Sequence, residues 1–182
     1  MNVYEFILIL SSIIVGLGIA ELFGGVVRIL RGEQKAGALH SLWVTMVFLL
    51  QVQWLWASWE LHARGTWLFP ELILFIIGPI GFYMAAAMLF PAKDSSESLD
   101  VYLLKRRRPF FLILALTSAS FSVSGWIVVN DPVRDQDIAR LVGIALYGIL
   151  AVTARKGFHW VIALGFLGGF LWFTYSFTLG IG

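Results

Sequence analysis

The sequence predicts an all-α integral membrane protein: a compact six-transmembrane-helix bundle with short loops and one amphipathic segment in the membrane interface. Two observations carry this prediction. Hydrophobic residues make up 59% of the 182-residue chain and charged residues only 13%. Soluble domains are nearer half apolar and a quarter charged, and a chain this short exposes too much surface to hide the excess from water. The apolar residues also fall into six runs, each able to supply the roughly 20 helical residues that cross a bilayer core.

The first span covers 4–30, interrupted only by Glu5, Glu21 and Arg28. No positive segment precedes Phe6 and no small-residue cleavage site follows the run, so it reads as a retained helix rather than a signal peptide. The second covers 38–63 and is uncharged over 41–59. The third, 70–90, and the fourth, 109–129, each open on a proline, which suits the first turn of a helix. The fifth covers 132–154 and opens on Asp131-Pro132, a cap followed by proline. Its uncharged part, 141–154, is too short to cross alone, so the turns around Arg140 must be included. The sixth covers 158–180 and is uncharged after His159. Together they form one domain, 1–182. The longest connection, 91–108, places Leu99, Tyr102 and Leu103 on one helical face, as in a helix lying in the interface.

Orientation follows from lysine and arginine. Arg28, Arg31, Lys35, Lys93, Lys105, Arg106, Arg107, Arg108, Arg155 and Lys156 flank one side, and Arg64, Arg134 and Arg140 the other. The expected location is a bacterial inner (plasma) membrane, with the basic loops cytoplasmic and both termini outside. The run Lys105, Arg106, Arg107 and Arg108 anchors that topology. Anionic lipid headgroups are its expected partners, each charge contributing about 1 kcal/mol. The net charge of +2 forms no other patch, so nucleic-acid binding is not expected. The absence of cysteine excludes disulfides, thiolate metal sites and cysteine nucleophiles. No lysine lies within a span, and GxSxG, HExxH and phosphate-loop patterns are absent. No catalytic constellation and no cofactor is expected.

Within the spans, four sets of residues invite a functional reading. Ser12, Gly16, Ala20 and Gly24 repeat every fourth residue in the first span, and Gly165 and Gly169 do so in the sixth. Small residues at this spacing let helix backbones approach closely, within one subunit or between copies in a homo-oligomer. Glu21 lies deep in the first span, where an ionisable group needs a partner or a functional role. In the second span, His40, Gln51, Ser58 and His62 fall within about 40° on a helical wheel, while Gln53, Trp56 and Glu60 fall opposite. Glu21, Gln51, Gln53 and Glu60 therefore outline a candidate ion or polar pathway, with the serines of the fourth span as a third wall. Arg140 is expected to form a structural ion pair with an outer-side carboxylate, Glu60 first among them.

Two weaker patterns complete the reading. Gly78-Pro79 interrupts the third span, either as an ordinary kink or as a broken helix able to bind an ion. His40 and His159 share one depth on two helices and are faint haem-ligand candidates; no other metal site is expected. The two halves of the chain do not match as an inverted repeat. The leading functional expectation is a small channel or transporter for an ion or solute. The alternative is a non-transporting accessory or assembly subunit of a membrane complex, and a haem-binding redox protein comes third.

Overall fold

The computed structural model describes residues 3–62, 64–91, 97–128 and 135–178. Apart from one isolated bridge between Lys35 and Ser98, their regular structure is helical. The helices are α1 (Val3–Leu30), α2 (Ala38–Ser58, prolonged by a 3-10 turn at Trp59–Leu61), α3 (Phe69–Leu89), α4 (Leu99–Lys105), α5 (Arg107–Val128), α6 (Asp135–Val152) and α7 (Lys156–Phe173, running on as a π-turn at Thr174–Thr178).

Among the described residues, five helices are long and apolar enough to cross a membrane: α1, α2, α3, α5 and α7. The expected fifth span corresponds to α6, which does not reach that standard. It has 18 residues, about 27 Å of rise, and Asp135, Asp137 and Arg140 sit in its first two turns. It nevertheless runs the length of α5. Its start meets the end of α5, where Trp126 Nε1 donates to Asp137 Oδ2 at 3.3 Å. Its last turn delivers Leu150 and Ala151 to the same core as Phe110 and Phe111, at the start of α5. The Asp131-Pro132 start lies outside the described residues.

The helices α1, α3, α5 and α6 pack side by side in that order, and α2 lies against α1 and α3 and meets α7 and α4. Glycine notches set these approaches. A Cβ at Gly18 would strike the Gln51 amide and crowd the Tyr83 backbone; one at Gly25 would enter the Phe90 ring. On α3, Gly78 receives Phe121 and Gly81 receives Thr117. Lipid is as apolar as the helices, so such close contact, rather than water exclusion, is what holds spanning helices together. The Gly78-Pro79 pair is buried and α3 stays helical through it. It is a seat for α5 rather than a broken helix. In this order α3 stands between α1 and α5.

The tightest packing gathers at the end where α2, α5 and α7 begin and α1 and α3 finish. Trp43 is fully buried there, edge-on to Phe110 at 5.9 Å and Phe111 at 4.9 Å. Tyr147 and Phe166 stack at 4.7 Å beside it. Each such ring pair adds roughly 0.5–1.5 kcal/mol beyond its area. Arg28 belongs to this end too, its Nη1 donating to the Pro91 carbonyl at 2.9 Å.

The amphipathic segment is the helix α4, but its apolar face does not lie in the interface. Leu99 and Leu103 are buried in the protein core, and Tyr102 donates its hydroxyl to the Phe90 carbonyl at 3.3 Å. The reason is polar anchorage. The Leu99 N–H donates to the Lys35 carbonyl at 3.0 Å, and Ser98 caps the helix from its own side chain. These bonds turn the segment onto the bundle.

Candidate functional sites

The basic end is organised by Asp100. Gly37, which precedes α2, has no side chain to cap the helix. Asp100 supplies the missing acceptor from α4: its Oδ1 receives the His40 N–H at 2.9 Å. A carboxylate at a helix start also meets the positive end of the helix dipole. Its Oδ2 lies 2.7 Å from Lys156 Nζ, at the first residue of α7. One carboxylate thus ties α4 to the beginnings of α2 and α7. Gly37 is required here by space, because a Cβ would collide with the carboxyl group and backbone of Asp100. Burial works against the charge on Asp100, but Lys156 and the His40 N–H outweigh it and hold the carboxyl below its ordinary range.

His40 and His159 are both fully buried at this end. Their Nε2 atoms are engaged with backbone carbonyls, of Leu89 at 2.8 Å and Thr153 at 2.7 Å. A carbonyl cannot donate, so each Nε2 carries the proton and each Nδ1 is left as an acceptor. Neither Nδ1 has a hydrogen-bond partner among the described residues. Phe111 contacts both His159, at 5.4 Å, and Trp43, one turn from His40. The two imidazoles are thus committed to separate carbonyls, with aromatic rings packed between their helices. Among the described residues, no group of three or more His, Asp or Glu gathers to hold a metal.

Three of the four residues of the expected polar pathway can be placed, and they lie on different faces of α1 and α2. Gln51 is fully buried against Gly18, its Nε2 reaching the Val47 carbonyl at 3.4 Å. Gln53 lies on the other side of α2, half-buried. Glu21 is exposed on the outer surface of α1. The side chain of Glu60 lies outside the described residues.

At the opposite end, Arg140 pairs with Asp137 of its own helix, Nη1 to Oδ1 at 2.9 Å; the side chain of the expected partner, Glu60, lies outside the described residues. A partner three residues back on one helix face is already adjacent. Asp137 is nearly buried and also receives Trp126, so the pair fastens α6 to α5. A second pair at this end joins Arg64 Nη2 to Glu71 Oε1 at 2.6 Å, while Glu71 Oε2 accepts the Leu68 N–H at 2.8 Å and closes the first turn of α3. Tyr4 donates to the Ser58 carbonyl at 2.9 Å, joining the start of α1 to the end of α2.

The small-residue ladders point away from the bundle. A Cβ at Gly16, Gly24, Gly165 or Gly169 would meet nothing within 4 Å. Ala20 is exposed and Ser12 half-buried. Packing within the chain therefore falls to Gly18, Gly25, Gly78 and Gly81. The fourfold spacing marks a face of α1 that does not pack within the chain; apolar residues surround the helix, so the spacing alone could not say which side is inside. A sequence sign for the Asp100 cap did exist: Gly37 leaves α2 without its own cap. Compared with protein-family models, curated proteins and solved structures, the chain matches none.

Proposed function

We propose that this protein is a non-transporting subunit of a membrane assembly, docking to a partner polypeptide through the outward face of α1. In this reading α6 is a sixth span, the membrane is a bacterial plasma membrane, the basic end is cytoplasmic, and both termini are outside. The run from Lys105 to Arg108 rests on anionic headgroups. The observation that carries the reading is the outward face of α1. Gly16 and Gly24 have open space beside them, although glycine within a helix costs about 1 kcal/mol relative to alanine. Within a membrane that cost is offset by a close helix neighbour, and the described residues of this chain offer none there. Glu21, exposed on the same helix, is an ionisable group at membrane depth, which a partner's hydrogen-bond donor would satisfy.

A photo-reactive side chain tests this in the native membrane. Placed at Ala20, it should form protein–protein adducts. Placed at Leu116, which is 70% exposed on α5, it should label lipid only. Equal lipid labelling at both positions contradicts the reading.

One observation favours the transport reading instead. Ser11 Oγ, Gln51 Oε1 and Ser122 Oγ are buried without hydrogen-bond partners among the described residues, and such groups call for water. Cation or proton flux in liposomes that falls with Gln51→Leu would make transport the better account.

A further inference from the structure

A crevice of about 270 Å³ opens between the last turns of α1 and the first turns of α2, lined by Val26, Ile29, His40, Ser41, Val44 and Thr45. We propose that it seats part of one acyl chain of an anionic phospholipid whose headgroup carries a hydroxyl. Its volume is slightly below the 300–1,000 Å³ usual for whole ligands, which suits a chain segment with the rest of the molecule outside. Its walls are chiefly aliphatic, from Val26, Ile29 and Val44. It lies at the basic end, where α1 passes into α2, so a lipid standing in that leaflet enters it lengthwise.

Charge and hydrogen bonding select the headgroup. The connection between the two helices carries Arg31 and Lys35, both exposed. Arg31 meets Glu33 only at 3.9 Å, with 70% of its side chain exposed, so it keeps capacity for a phosphate. His40, Ser41 and Thr45 are the polar members of the lining, and His40 is the one with a ring nitrogen. His40 is fully buried, and its Nδ1 is an acceptor without a partner among the described residues. An acceptor selects a donor, which a phosphate diester lacks and a headgroup hydroxyl supplies. Ser41, on the exposed side, offers a further hydroxyl.

The test compares probes in detergent solution on the full chain. Phosphatidylglycerol should remain bound in native mass spectrometry as one molecule per chain. At roughly 100 times its Kd it should raise the melting temperature by about 5–10 °C. Phosphatidylcholine, which lacks both net charge and hydroxyl, should do neither. Glycerol phosphate, the same headgroup chemistry without acyl chains, should do neither. The variant Val44→Trp fills the crevice and should lose the bound lipid and the thermal shift while melting like the wild type in pure detergent. Arg31→Ala with Lys35→Ala should weaken phosphatidylglycerol binding about tenfold. Equal shifts from phosphatidylcholine and phosphatidylglycerol, a shift from glycerol phosphate, or lipid retained by a folded Val44→Trp would each overturn the proposal. Should Val44→Trp not fold, Val26→Phe fills the opposite wall and serves the same comparison.

Discussion

Asp100 shows how one residue can hold several elements. Its carboxylate caps α2, pairs with Lys156 and leaves room only for glycine at position 37. Lys156 is half exposed, so solvent screens that pair, and the bond from the His40 N–H to the buried carboxylate dominates. Hydrogen bonds to charged groups contribute about 1.5–3 kcal/mol, and Asp100→Asn should reduce stability by that order near neutral pH. The folded-state pKa is depressed, so the stabilisation is complete above the unfolded value of about 3.9. It is lost as pH falls through the lower folded value. The gap between wild type and Asp100→Asn in thermal melts should therefore begin to narrow as pH falls below about 4 and close only below the depressed folded value; a gap that does not narrow would assign the role to shape rather than charge. The glycines of α1 give a second residue-level contrast. Gly18→Ala must displace Gln51 and press on the Tyr83 backbone, and overpacking of this kind costs about 1–3 kcal/mol. Gly16→Ala meets open space, so in the isolated chain it should be neutral or gain up to about 1 kcal/mol. Denaturant titration of the two variants separates them.

At the scale of elements, most of the fold was legible because membrane-spanning helices announce themselves by length and apolarity. The starts and ends of α1, α2 and α3 agree with the sequence reading to within a few residues. The doubtful element, α6, was doubtful for a physical cause that the structure retains: Asp135, Asp137 and Arg140 shorten its apolar part. What could not be read was direction around each helix. A chain apolar on all sides carries no stripe marking the inside, so the ladder at Gly16 and Gly24 was as plausible a seam as Gly18 and Gly25. The amphipathic pattern of α4 was correct, yet pattern alone cannot separate lipid from protein as the apolar partner. That choice was made by Asp100 and Lys35, distant in sequence. The cysteine-free chain allows a clean test of α6. Cysteines at Lys35 and Arg155 should react with impermeant reagent from the cytoplasm, and cysteines at Gly65 and Ser176 from outside. Arg155→Cys reacting from outside would show that α6 does not cross.

For the whole molecule, packing is uneven, and the unevenness bears on function. The basic end holds a dense aromatic core around Trp43. The outward faces of α1 and α7 present glycines with nothing beside them. The candidate pathway residues were legible as polar groups in spans, but how they face one another was not, because facing depends on which helices are neighbours; α3 stands between α1 and α5. The same arrangement leaves the α1 face free to receive another helix. The most direct test of that account is the size of the particle purified in mild detergent from its own membrane, measured by light scattering. The wild-type chain should run as a complex larger than one chain, and Gly16→Leu with Gly24→Leu should run as a single folded chain with an unchanged melting temperature. A wild-type protein that runs alone, or a double variant that keeps the complex, would contradict it.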